Sequence, residues 1–293
     1  MTLPYGVISD CHYHKWDAFS TTNAEGLNSR LEIQLEATKE AAIAMKKAGC
    51  KYMLVAGDTF HVRGTVSPSV LHYVTETYKW IINELDLTVV MLAGNHDLET
   101  NDSINKAIPT MPDVGIDAQE LKDIGFRLVL SGHYHNHKEV IPGVISVGAL
   151  THQNWGDVGS LAGYMIVNPD GSFSHYETSA PKFINLEDDV ADDQIRGNYV
   201  RFRAVIENDE EGIKYQNILK TMGAKGVVCN FIRKSSMMEG TASTTETSKI
   251  DSLGESVSAY CKIVHDTDGG FDLSKLDILC QEILTEAESS EAV

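Results

Sequence analysis

Four apolar runs, each ending in a cluster of carboxylate, imidazole or amide residues, constrain this chain more than any other feature. Residues 5–9 run into Asp10-Cys11-His12, and residues 52–56 into Gly57-Asp58. Residues 88–93 run into Gly94-Asn95-His96-Asp97, and residues 127–131 into Gly132-His133-Tyr134-His135. Helical patterns lie between them. Over residues 28–48, Leu31, Leu35, Ala42 and Met45 share a face, and Gly49 is a natural stop. Ser67 and Pro68 open a second helix that carries Val70, Leu71, Val74, Ile81 and Ile82, and a short one is expected near residues 117–124. Strands alternating with helices predict βαβ units and a largely parallel inner sheet. In such sheets ligands bind beyond the carboxyl ends of the strands, where all four clusters fall.

The spacing within the clusters has a chemical meaning. In Asp10-x-His12 and His133-x-His135, residues two apart can face one side. Glycine before a ligand lets the backbone turn tightly and approach closely. Carboxylate, imidazole and amide oxygen together suit Mn, Fe or Zn better than a metal selected by soft thiolates. Asp58 could bridge two ions about 4 Å apart, the spacing that clamps attacking and leaving oxygens in phosphoryl transfer. One such cluster alone is weak evidence. Four of them, each at a strand end, are hard to obtain from packing, because buried Asp and His need cations or hydrogen bonds.

After residue 140 the texture changes. Residues 144–148, 164–167 and 173–177 read as short strands, and Asn168-Pro169-Asp170-Gly171 as a hairpin turn, so an antiparallel addition to the core is expected. Residues 185–193 form an acidic linker. Strand, helix and strand over residues 199–206, 210–222 and 227–232 make a small βαβ module. Residues 235–249 are rich in Ser, Thr and Glu, and two helical patterns follow at 249–262 and 273–286. The domains expected are a core at 1–184, a capping module at 195–235, and a linker with terminal helices at 236–293.

The formal net charge of −18 excludes a free-standing nucleic-acid binder of the usual basic kind. DNA affinity would have to come from a local patch, a bound metal or a partner. The five cysteines are scattered without a CxxC pair, which fits a reducing compartment such as the cytoplasm. No apolar run reaches the roughly 18 residues of a membrane span, and the opening MTLPYGVISD does not read as a secretory signal.

The segments SDCHYH, AGDTFH, LAGNHD and LSGHYHNH resemble the calcineurin-like metallophosphoesterases, whose pattern is DxH, GDxxx, GNH[DE] and GHxH. Phe60-His61 and the small module containing Asn198-Tyr199-Val200-Arg201-Phe202-Arg203 resemble the SbcD-type DNA nuclease branch, phage-encoded or bacterial. The resemblance implies an α/β fold: a metallophosphoesterase β-sandwich flanked by helices, with a βαβ cap and C-terminal helices. It implies two divalent ions, Mn first, with Mg, Fe or Zn as alternatives. Asp10, His12 and His135 would hold one ion, Asn95 and His133 the other, and Asp58 would bridge. His96, beside Asp97, would be the general acid or charge stabiliser, and His61 would touch the DNA phosphate or protonate the leaving group. Arg201 and Arg203, on one face of a strand, could contact a phosphate. The implied function is a DNA exo- or endonuclease subunit in recombination and repair. It would activate water with two metals and partner an SbcC-like coiled-coil ATPase, with homodimerisation open and, if phage-encoded, the host cytoplasm as its location.

The family places one more histidine ligand between GNH[DE] and GHxH, and this chain has none from Asp97 to Gly132. Either a segment is missing just before about residue 104, or the second metal site is degenerate and weak, unless His137 or His152 folds back to fill it. Otherwise His14, His137 and His152 read as flanking or surface histidines, Cys11 as core, and Trp155 and Tyr164 as packing residues. The amphipathic terminal helix with Leu273, Leu276, Leu279, Ile283 and Leu284 could dock on the ATPase or pack on the core. Two other functions remain open at this level: a general phosphoesterase for nucleotides or small phosphodiesters, and a catalytically weakened subunit that binds a partner.

Overall fold

A computed structural model of the protein describes residues 3–97, 117–186 and 192–233, together with Lys275. The chain divides into two units, Met1–Ser235 and Ser236–Val293. The terminal helices expected at 249–262 and 273–286 lie outside the described residues.

The first unit opens with β1 (Tyr5–Ile8), α1 (Ser29–Lys47), β2 (Tyr52–Ala56), α2 (Pro68–Leu85) and β3 (Thr88–Leu92). Strands β1, β2 and β3 are parallel neighbours, as the alternation of strand and helix requires. Helix α1 starts where Asn28 accepts hydrogen bonds from the backbone N–H groups of Arg30 and Leu31. Pro68 opens α2, but the Ser67 side chain makes no capping bond to it. Leu31, Leu35, Ala42 and Met45 of α1 meet Val70, Val74 and Ile81 of α2 and Ile8, Met53 and Val55 of the sheet in one apolar core.

The sheet continues on its other side with β7 (Gly163–Val167) and β8 (Phe173–Glu177), giving the order β3-β2-β1-β7-β8. Both run antiparallel to their neighbours, and the 168–171 turn joins them as expected. The fourth strand departs from the sequence reading. After α3 (Ala118–Asp123), β4 (Val129–Ser131) leaves the parallel sheet and pairs with β6 (Val144–Ser146). With β5 (Lys138–Ile141), which sequence reading missed, they form a second sheet ordered β4-β6-β5. Apolar side chains explain the arrangement. Ile145 and Val147 with Leu128 and Leu130 pack against Val7, Leu54, Ala56, Met165 and Val167, and so close a sandwich. Strand β3 extends past this second layer: Val90 is 44% and Leu92 64% exposed. The architecture is mixed α/β, two sheets packed as a sandwich with helices α1 and α2 on one side, as expected.

The cap has its own core. Strand β9 (Phe183–Leu186), whose last two residues fall in the stretch 185–193 expected to be an acidic linker, pairs parallel with β10 (Tyr199–Ile206). Between them lies the single turn α4 (Asp192–Ile195). The expected βαβ module follows, with α5 (Asp209–Thr221) and β11 (Gly226–Arg233), the latter parallel to β10. Leu186, Ile195, Val200, Phe202 and Leu219 fill its interior. No described helix is long and apolar enough to cross a membrane.

Candidate metal centre

The ends of β1, β2 and β4 converge, and the backbone there is unusual. Asp10, His12, Asp58 and His133 all have positive φ, between 46° and 81°. Side chains other than glycine seldom take this conformation, at a cost of order 1 kcal/mol or more each, so the surroundings must enforce it. Two glycines permit the approach. A Cβ at Gly132 would collide with Ser9 Oγ and the Ala56 carbonyl, and one at Gly94 would collide with the Asp58 backbone and carboxylate.

Helix α1 holds the first loop from behind. Gln34 Nε2 donates to the carbonyls of Cys11 (3.0 Å) and His12 (3.1 Å). Arg30, buried and lying over the Trp16 ring, donates to the Gln153 carbonyl at 2.5 Å. Gln153 Nε2 in turn donates to the Asp10 carbonyl at 2.8 Å. Cys11 is buried in the core, pointing away from the site as expected.

The Asp10 carboxylate is fully buried. It accepts from Ser9 Oγ at 2.5 Å and from the His133 backbone N–H at 2.9 and 3.0 Å. Burial raises its pKa, with the Asp58 charge adding, while the Ser9 and His133 hydrogen bonds oppose the rise. His12 Nε2 lies 3.9 Å from Asp10 Oδ1 and 3.8 Å from Asp58 Oδ2. Burial, reinforced by His135, His96 and His61, pushes His12 down to about 3. Its ring is therefore neutral at pH 7, the form that ligates metals.

His135 completes the pocket. Its Nδ1 meets Asp157 Oδ1 at 2.7 Å, which directs the other ring nitrogen to a ligand. Asp157 Oδ2 accepts from the backbone N–H of Gln153 (2.6 Å) and Asn154 (3.0 Å). Burial would raise Asp157, but the His135 bond and these two amides hold it below its ordinary value. Burial would lower His135, yet the hydrogen bond and charge of Asp157, with Asp10 and Asp58 beyond, leave it raised. Asp157 sits in the 3₁₀ turn Trp155–Asp157 and has no motif of its own. Sequence reasoning missed it.

Ligand atoms of Asp10, His12 and His135 all lie within 4.8 Å of one another, so the set named for the first ion converges. A neutral imidazole, a second one oriented by a carboxylate, and a buried carboxylate beside Asp58 suit a divalent cation. His12, His61 and His96 form a second such group, sharing His12. His61 Nδ1 stands 3.4 Å from His12 Nδ1, and its pKa is depressed to about 4 by burial and then by His14 and His96. His96 Nδ1 is 2.6 Å from the His61 carbonyl. A carbonyl only accepts, so Nδ1 carries the proton and Nε2 is left to face other chemistry.

The set named for the second ion differs. Asp58 Oδ1 accepts from the His96 backbone N–H at 2.8 Å. The Asn95 side-chain amide lies between Asp58 Oδ2 (3.0 Å) and the Arg63 guanidinium (2.9 Å). The His133 ring packs edge-on against Tyr134, which is exposed. Neither spare histidine joins this set. His152 has one ring nitrogen at the Ser160 carbonyl and the other at the Phe183 N–H. His137 stacks on His175 and meets the Val147 carbonyl.

The remaining candidates have other partners. Asp97 accepts three backbone N–H bonds, from Thr59 (3.0 Å), Phe60 (2.9 Å) and Gly94 (3.0 Å), tying the Asp58 loop to the Asn95 loop. Arg201 lies over the Trp155 ring and donates to Asn185, while Arg203 is exposed on the same strand.

Comparison with known proteins agrees with this geometry in one respect. No curated protein matches the chain at a significant level. Among solved structures, a crystal structure of Pseudomonas putida nuclease MPE aligns with 52% of this chain and 76% of its own, at 16% identity and a TM-score of 0.28. Residues 3–115, which carry the Asp10, Asp58 and Asn95 loops with His12 and His96, match the calcineurin-like phosphoesterase family.

Proposed function

We propose that this chain is a metal-dependent phosphodiesterase that cleaves DNA, and that it acts as the nuclease subunit of an SbcCD-like complex with a coiled-coil ATPase in the cytoplasm. The observation that carries the hydrolase reading is the convergence of Asp10, His12 and His135 beside Asp58 at strand ends. The family match over residues 3–115 supports phosphoester hydrolysis. Phe60-His61 and the cap after the core support the DNA substrate by resemblance, and the acidic net charge fits a subunit that takes DNA affinity from a partner.

A divalent ion held by Asp10, His12, Asp58 and His135 would polarise a phosphoryl oxygen and lower the pKa of water. The protein supplies the rest. Asp157 fixes the His135 ring, and Gln34 and Gln153 fix the Asp10–His12 loop. As the water oxygen bonds to phosphorus and the bond to the leaving alkoxide breaks, the imidazolium form of His96 hands that oxygen the Nε2 proton and is left neutral, with Nδ1–H anchored on the His61 carbonyl.

The test compares Mn-supported turnover of linear duplex DNA, single-stranded DNA and bis(p-nitrophenyl) phosphate, with and without a co-expressed coiled-coil ATPase. DNA cleavage that the ATPase stimulates is the expected result. Turnover of the small diester alone would assign a general phosphodiesterase. ATPase binding with no turnover of any substrate would assign a weakened partner-binding subunit.

A further inference from the structure

We infer that His12, His61 and His96 form a nitrogen-only site for a zinc-class ion, distinct from the set of Asp10, His12 and His135, and that filling it switches the centre off. The effect on turnover rests on the phosphodiesterase reading; the binding does not. The three histidines follow β1, β2 and β3, the parallel strands of the main sheet, and their ligand atoms lie within 4.8 Å of one another. The Nδ1 atoms of His12 and His61 stand 3.4 Å apart. Two imidazole nitrogens on one tetrahedral zinc, each about 2.0–2.1 Å from it, stand about 3.3–3.4 Å from each other. As a hydrogen bond the same separation is long. The protein itself holds the rings. His96 Nδ1 is anchored on the His61 carbonyl at 2.6 Å, the kind of partner that fixes a ligating histidine and leaves Nε2 for the ion. The His61 ring packs on Trp16 and His14, with centroids 4.5 and 5.2 Å away. The His12 ring stands at 74° to His61 and 86° to His96.

Ligand chemistry separates the two sets. Imidazole suits zinc, copper and nickel, whereas carboxylate suits manganese and magnesium. The set with Asp10 has a carboxylate, and Asp58 stands beside it; the three-histidine set has none. A neutral imidazole has a single lone-pair nitrogen, so His12 serves one ion at a time. A zinc ion on His12, His61 and His96 therefore takes His12 from the Asp10 centre. It also occupies His96 Nε2, the atom that carries the proton for the leaving oxygen. One ion thus removes a metal ligand and a proton donor together.

The test titrates the full chain with Zn²⁺, followed by calorimetry, and with Mn²⁺, followed by its electron paramagnetic resonance spectrum. Wild type is compared with His61→Gln, His96→Gln and His135→Ala. In the wild-type chain loaded with Mn²⁺, equimolar Zn²⁺ should release the Mn²⁺ and cut turnover of bis(p-nitrophenyl) phosphate by roughly tenfold or more. His61→Gln and His96→Gln should each weaken Zn²⁺ binding by about 10- to 100-fold, the least that loss of a ligand costs, and hold Mn²⁺ within about threefold. His135→Ala should do the reverse. Zinc affinity that follows His135 and not His61 and His96 would overturn the inference, because zinc would then share the Asp10 centre. So would Mn²⁺ lost along with Zn²⁺ in both glutamine variants, or Zn²⁺ that supports turnover as well as Mn²⁺ does. A wild-type chain that binds both ions in the expected pattern and hydrolyses nothing would instead defeat the phosphodiesterase reading, leaving the zinc site standing.

Discussion

At the residue scale, Asp157 is the most informative side chain. Its bond to His135 Nδ1 and its two backbone amides make it the support of one ligand. Such partners are worth 10–100-fold in metal affinity. Asp157→Asn should therefore weaken Mn²⁺ binding by about that factor in a calorimetric titration while leaving the fold intact; an unchanged affinity would show that packing alone orients His135. The histidines also set a pH dependence. Folded-state values of about 3 for His12 and about 4 for His61 and His175 lie below the ordinary 6.5. Between those values and about 6.5 the unfolded chain binds more protons, so stability falls as pH drops through that window. His135, raised, acts in the opposite sense: its contribution is complete below its unfolded value and fades as pH rises past its folded one. With His12, His14, His61, His152 and His175 depressed against His135 raised, the metal-free chain should melt at a lower temperature at pH 5 than at pH 7, and His61→Gln should flatten the slope. A melting temperature that rises on acidification would contradict these assignments.

At the scale of elements, the site depends on how closely strand ends meet. Gly132, at the end of β4, has no room for a Cβ against Ser9 and Ala56. Gly132→Ala should cost about 1–3 kcal/mol in urea unfolding, the usual range for overpacking, and should lower Mn²⁺ affinity because the Asp10–His133 bond opens with it. Stability and affinity both at wild-type levels would mean the two sheets are less tightly coupled. What sequence could show divides along the same line. Strands ending in clusters and the Gly49 stop of α1 were legible, because hydrophobic period and the left-handed glycine stop are local. The departure of β4 into a second sheet was not, because a three-residue strand carries no sign of which sheet it joins. Strand β5 was hidden by its exposed Lys138 and Glu139, and β9 by the acidic run that follows it. Asp157 reads as an ordinary turn residue until the fold brings it to a histidine 22 positions earlier. Positive φ at Asp10, His12, Asp58 and His133 is likewise imposed by tertiary structure.

At the scale of the molecule, a sandwich core brings distant loops into one pocket, and a cap module packs its own sheet behind aromatic residues. Arg30 links the two: it lies over Trp16 of the core and within 5.5 Å of the Tyr199 ring of the cap, and it donates to the loop that holds Asp157. The pocket's chemistry is the central claim, and one measurement tests it most directly: phosphodiester turnover by the chain stripped of metal with excess chelator and then resupplied with Mn²⁺, run beside Asp10→Asn. Turnover should vanish on stripping, return with Mn²⁺ in the wild-type chain, and stay absent in Asp10→Asn. Full turnover in excess chelator, or a fully active Asp10→Asn variant, would contradict it.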